Sequence, residues 1–234
     1  MSGLLQPLLS LGYGAGGRLR KASLAAFAAI ALAGPVAAEP TTIAALGDSL
    51  TQGYGLPQED GFVPQLEAWL RARGHDVVIL NAGVSGDTTA GGLSRVDWTL
   101  TPEVDAMIVA LGGNDLLRAI PPEASRANLD GILARAEQSG VEVLLIGLEA
   151  PGNYGPDYKT AFDSMYPDLA EKYGTLYSRS FLAGLVDGVD RTRALTGMMQ
   201  PDGIHPNAQG VLRIVDTLGP YAEDLVRRAQ ADGG

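Results

Sequence analysis

From residue 42 onward, short apolar runs alternate with longer amphipathic stretches. The runs at residues 42–46, 77–80, 106–111 and 143–148, with a weaker one near Leu176, are almost continuously apolar. A strand that buries only one face alternates between apolar and polar positions, whereas a strand covered on both faces does not. The runs therefore predict strands of a parallel sheet. Between them, helical apolar spacing predicts helices over residues 62–73, 89–100, 123–139, 158–173 and 208–229. Pro121 and Pro122 open the third of these and Pro206 precedes the last, where a missing N–H costs a helix nothing. Strand and helix alternating in this way predict an α/β fold of about five parallel strands.

The first 38 residues follow a different pattern. Arg18, Arg20 and Lys21 form a basic flank, residues 22–34 are small or apolar throughout, and Val36-Ala37-Ala38 supplies small residues for a signal peptidase. This predicts a secretory signal peptide cleaved after Ala38 and export to a periplasm. A membrane span needs about 20 apolar residues, so no stable anchor is expected after cleavage. The pair Arg18-x-Arg20 is not the Arg-Arg of a twin-arginine signal. The chain has no cysteine, which excludes a lipoprotein anchor, disulfides and thiolate metal ligation. Gly12-Tyr13-Gly14-Ala15-Gly16-Gly17 has dinucleotide-binding spacing, but the segment after it is the core of the signal and not a crossover helix. Residues 39–234 read as one domain without repeats or low-complexity linkers.

The 234-residue chain carries 17 basic and 27 acidic residues. Removal of the three leader cations leaves 14 against 27, a formal charge of −13. Such a surface repels nucleic acid and anionic head groups, and it disfavours polyanionic substrates such as acyl-CoA. A neutral or zwitterionic small molecule or lipid fits it better.

The candidate chemistry lies where strands end. Gly47-Asp48-Ser49-Leu50 closes the first apolar run, and Asp202-Gly203-Ile204-His205-Pro206 lies near the other end. A serine hydroxyl becomes a nucleophile when a base takes its proton and a third group orients that base. The chain contains two histidines. His75 stands at the mouth of the second strand with no partner motif and is assigned no role. His205 follows Asp202 by three residues, a spacing that lets the carboxylate reach one ring nitrogen while the other faces serine. Ser49, Asp202 and His205 together predict a serine hydrolase; a helix N-cap is the bland alternative for Ser49. No Gly-x-Ser-x-Gly elbow is present, which argues against an α/β-hydrolase fold. Residues 81–88, Asn-Ala-Gly-Val-Ser-Gly-Asp-Thr, follow the second run, and Gly112-Gly113-Asn114-Asp115 follows the third. Ser49, Gly86 and Asn114 thus each lie beyond a different strand's carboxyl end, the edge where open α/β sheets bind ligands.

With these four blocks in order, the chain resembles the SGNH (GDSL) hydrolase family, in its thioesterase, lysophospholipase and arylesterase subgroup. The stretch Ala150 to Gly155, with Ala161-Phe162 and Tyr166-Pro167 beyond it, carries the same likeness. The resemblance implies a flavodoxin-like, three-layer αβα sandwich. It also implies Ser49 as nucleophile, Asp202 and His205 completing the triad, and an oxyanion hole of Ser49, Gly86 and Asn114. Gly83 shares the Gly86 loop, and position within the Ser-Gly-Asp block favours Gly86. Leu116, Leu117 and Tyr154 are candidate substrate-binding residues; Ile120, Met198 and Met199 serve either an acyl wall or simple packing. Asp48 and Asp115 are read as loop anchors. The expected activity is hydrolysis of aryl esters, lysophospholipids or acyl thioesters by a periplasmic monomer, with no metal or organic cofactor. The rivals are a carbohydrate acetylesterase drawing on Tyr54 and Tyr154, a silent binding domain, and a metal-dependent phosphohydrolase using Asp48, Asp87 and Asp115.

Overall fold

The computed structural model describes residues 39–186 and 197–232. Residues 1–38, with the Gly12–Gly17 motif and the expected signal peptide, residues 187–196 and residues 233–234 lie outside the described part. Five parallel strands, β1 (Thr41–Gly47), β2 (Val77–Gly83), β3 (Ala106–Ala110), β4 (Glu142–Ile146) and β5 (Leu176–Ser178), form one sheet in the order β2-β1-β3-β4-β5. The chain moves outward from β1 to β2, then crosses back past β1 to β3. That reversal places a topological switch point at the carboxyl ends of β1 and β3.

Strand pleat divides the core into two. Ile43, Ala45, Ile108, Leu144 and Ile146 point toward α2 (Phe62–Arg71) and α8 (Ala208–Asp232), where Phe62, Leu66, Leu70, Ile214 and Leu225 are buried. Ala44, Leu46, Met107, Val109 and Leu145 face the other way, toward α3 (Thr89–Thr99), α5 (Pro122–Gln138) and α6 (Pro156–Tyr173). Alternate residues of one strand thus fill opposite layers, which is why the runs read as continuously apolar. Each leucine so enclosed contributes about 2 kcal/mol of apolar burial. The expected three-layer α/β sandwich is the observed one.

The expected strand ending at residue 80 runs on to Gly83, because pairing with β1 continues in register to Gly47↔Gly83. β2 is an edge strand, and its exposed Leu80 and Asn81 break the apolar pattern. Three short helices escaped the sequence pattern: α1 (Ser49–Gln52), α4 (Gly113–Leu117) and α7 (Ala183–Val186). One turn is too short for a helical period to show. His75 has a partner after all, its Nε2 lying 3.0 Å from Glu223 Oε1 on α8. That pair ties the α2–β2 turn to the last helix. Met198 and Met199 pack against the α2/α8 side of the core.

Asp115 anchors the second layer. It is fully buried, and its carboxylate accepts from Thr89 N (2.9 Å), Thr89 Oγ1 (2.5 Å) and Ser125 Oγ (2.8 Å). One side chain thereby joins α4 to the first turns of α3 and α5. Asp115→Ala strands three buried donors and is expected to cost about 3 kcal/mol. Thermal unfolding should show this as a fall in Tm of roughly 6–12 °C. A shift under about 2 °C would refute the anchor.

Candidate active site

β1 delivers its last residues into a tight turn. A Cβ on Gly47 would meet Thr51 Oγ1 at 2.0 Å, so only glycine allows α1 to fold back this closely. Asp48 caps α1, its Oδ1 accepting from Leu50 N at 3.0 Å. Ser49 is therefore relieved of the capping role that its residue type would favour, and its hydroxyl is free. That hydroxyl meets His205 Nε2 at 2.9 Å, and His205 Nδ1 meets Asp202 Oδ2 at 2.7 Å. A carboxylate only accepts, so Nδ1 carries the ring proton and Nε2 presents its lone pair to serine.

The Asp-His turn supports itself. Asp202 Oδ1 accepts from the N–H groups of Ile204 (2.9 Å) and His205 (3.0 Å). The His205 N–H, the imidazole and the Ile204 N–H, in that order, hold the Asp202 carboxyl down to a pKa of about 2. Gly203 takes the left-handed conformation, φ 69°, that closes the turn. Met199 and Pro206 form a single antiparallel bridge beneath it. Gln200 donates to Tyr54 O (2.8 Å) and Pro206 O (3.0 Å), joining this turn to the loop after α1. The Tyr54 ring rests against His205, with centroids 4.7 Å apart.

Two backbone donors of residues at one cleft are unspent. The N–H groups of Ser49 and Gly86 meet no acceptor among the described residues. Gly86 sits third in a β-turn closed by Asp87 N to Val84 O at 3.0 Å, with the positive φ of 81° that a type II turn demands there. The Asn114 amide is the third donor, and its Nδ2 lies 3.5 Å from Asp48 Oδ2. With one N–H turned toward that carboxylate, the other is left for a ligand. The Gly83 N–H is instead spent on Asn81 Oδ1, at 3.0 Å.

These groups open on a cleft of about 490 Å³ whose apolar wall is Leu50, Leu116, Leu117, Leu148, Leu182 and Ile204. Of the candidate substrate-binding residues, Leu116 and Leu117 line this cleft. Tyr154 does not: it stacks on Tyr158 at 5.0 Å and is absent from the wall, because Tyr158, Phe162 and Tyr166 extend an aromatic ladder along α6 that draws its ring away. Ile120 is likewise off the wall, its carbonyl taken by Tyr158 Oη at 2.9 Å. Sequence reasoning passed over Leu148 and Ile204, although Ile204 lies inside the Asp-His motif itself.

Asp48, Asp87 and Asp115 do not gather as metal ligands. Asp87 pairs with Arg95 Nε at 2.7 Å, Asp115 is enclosed by Thr89 and Ser125, and Asp48 faces Leu50 and Asn114. Among the described residues no three His, Cys, Asp or Glu side chains converge on a point.

Asp48 is 3% exposed, and burial pushes its pKa from an ordinary 3.8 up to about 6, against the Leu50 N–H that lowers it. A carboxyl that holds its proton more tightly when folded weakens the fold as pH rises from about 4 to 6, and the full penalty of about 3 kcal/mol stands above that range. Asp48→Asn should therefore gain about 3 kcal/mol over the parent between pH 4 and pH 8. Urea unfolding of both proteins at the two pH values checks this; a difference indifferent to pH would sink it.

The GDSL-like Lipase/Acylhydrolase family matches residues 45–212. Esterase TesA of Pseudomonas aeruginosa is 39% identical over 186 residues, covering 79% of this chain and 89% of that protein. Thioesterase 1/protease 1/lysophospholipase L1 of Escherichia coli K12 is 31% identical over 191 residues, covering 81% and 87%. The crystal structure of the psychrotrophic esterase EstA from Pseudoalteromonas, inhibited by monoethylphosphonate, superposes with a TM-score of 0.72 at 30% identity, over 80% of this chain and 99% of that one. Sequence and fold agree, and the chain belongs to the GDSL-like lipase/acylhydrolase family.

Proposed function

We propose that this protein is an exported serine esterase that hydrolyses carboxylic esters through an acyl-serine intermediate. The observation that carries the reading is the unbroken hydrogen-bonded line Asp202–His205–Ser49, at 2.7 and 2.9 Å, beside two unspent N–H groups. His205 takes the Ser49 proton as Oγ attacks the ester carbonyl. The tetrahedral oxyanion is held by the N–H groups of Ser49 and Gly86 and by the Asn114 amide. His205 then gives its proton to the leaving alcohol or thiol, and the bond from the acyl carbon breaks. Water, deprotonated by the same imidazole, attacks the acyl-serine and releases the acid, restoring Ser49. Asp202 stays ionised throughout and holds the imidazole in the productive tautomer. No step calls for a metal or organic cofactor.

The cleft supports the substrate class. Its wall is aliphatic apart from Tyr54, which suits an acyl chain better than the stacked aromatic faces that sugars use. The names of the relatives point to carboxylic esters, thioesters and lysophospholipids. Export rests on the basic flank, apolar stretch and small residues of the leader. No helix among the described residues is long and apolar enough to cross a membrane.

A reactive phosphonate should label Ser49 alone, as read by peptide mass, and Ser49→Ala should abolish both labelling and ester turnover while leaving Tm in place. An adduct elsewhere, or more than a few per cent of activity in the variant, would overturn the reading. Substrate charge provides a separate prediction. The mature charge is −13, and the cleft lining includes Asp48 and Glu149 but no Lys or Arg. Neutral aryl esters and zwitterionic lysophospholipids should exceed acyl-CoA of equal chain length in kcat/KM by roughly three- to tenfold at low salt, and the gap should narrow as ionic strength rises. Equal rates at low salt, or a gap indifferent to salt, would sink it.

A further inference from the structure

We propose that Arg118 is a positioning residue that sets the separation of two donors of the oxyanion hole, Gly86 N–H and the Asn114 amide. The inference rests on the esterase reading above and names a residue that the triad and the hole do not include. Arg118 ends α4, the short helix carrying Asn114, and its own N–H bonds back to Asn114 O at 3.1 Å. Its Nη2 reaches across to Gly86 O at 2.8 Å. One side chain thus spans the loop after β2 and the helix after β3, and each of these elements contributes one donor.

The Gly86 turn needs such a tether. Its two ends are secured, by Val84 N to Gly47 O at 3.0 Å and by the Asp87–Arg95 pair. The tip is held differently. It consists of Ser85 and a glycine at φ 81°, and nothing else among the described residues bonds the Gly86 backbone. A glycine tip can tilt at little cost, whereas oxyanion donors act only within about 2.7–3.1 Å of the developing charge. Arg118 removes that freedom. It has no carboxylate partner among the described residues, although most cations of this acidic chain pair with an acid, and it does not line the cleft. Its guanidinium is thus turned toward the Gly86 loop.

The test uses the full chain and a neutral p-nitrophenyl ester. Arg118→Ala should lower kcat about tenfold with KM within about twofold, the signature of a donor displaced in the transition state. Labelling by a neutral phosphonate should slow in parallel, because its oxygen enters the same hole. Tm should hold within about 2 °C, since a single exposed hydrogen bond is lost. Guanidinium ion, well below denaturing concentration, should restore part of the rate, and Arg118→Lys should lose less than Arg118→Ala. Asn114→Ala is run alongside and should cost about 10²–10³ in kcat. A silent Arg118→Ala beside a crippled Asn114→Ala overturns the tether and leaves the esterase reading standing. If both variants are silent, the oxyanion assignment itself falls. A loss confined to KM, and to anionic esters, would make Arg118 a receptor for substrate charge and overturn the proposal.

Discussion

Everything at this site depends on three strands ending level. Gly47 pairs with Gly83 on one side and with Ala110 on the other, so β2, β1 and β3 stop together at one edge of the sheet. Arg95 secures that edge: its guanidinium donates to Gly47 O and Ala82 O while its Nε holds Asp87. Ser49, Gly86 and Asn114 leave from these three ends and have only a few residues in which to meet. A slip of one residue between neighbouring strands would exchange the faces that fill the two core layers, so the core that stabilises the fold also enforces this alignment.

Two buried carboxylates flank the site under opposite conditions. Asp115 accepts from three donors and converts its burial into rigidity, joining α4 to α3 and α5. Asp48 has a single close donor, Leu50 N, and a longer contact to Asn114, and it carries an ionisation cost at neutral pH. By capping α1, Asp48 leaves the Ser49 hydroxyl to His205, and by facing Asn114 it orients the amide. Local strain of this sort, at a place where a less costly residue would fold better, is what functional sites tend to carry.

The Asp202–His205 turn is built on other terms. Asp202 is partly exposed and draws its low pKa from the N–H groups of a four-residue turn and from the imidazole beside it. That turn is braced through Gln200 to the loop that follows Ser49 and α1. Ser49 and His205, 156 residues apart in sequence, are thereby held to one hydrogen-bond length.

Much of this was legible in order and type. Continuously apolar runs declared a sheet buried on both faces, and the residues just beyond three of those runs included Ser49, Gly86 and Asn114. The spacing of Asp202 and His205 declared a self-contained turn, because a carboxylate reaches backbone N–H groups two and three positions ahead within local geometry alone. Strand order, by contrast, was not carried by any local pattern, nor was the passing of the capping role from Ser49 to Asp48. Tyr154 looked like a cleft residue until the α6 ladder drew it aside, and His75 looked solitary until α8 brought Glu223 to it. The reason is one of range. Sequence determined which residues stand at strand ends and which groups can satisfy one another within a turn. Only tertiary packing, which decides what lies across the cleft, assigned Leu148, Ile204 and Arg118 their places.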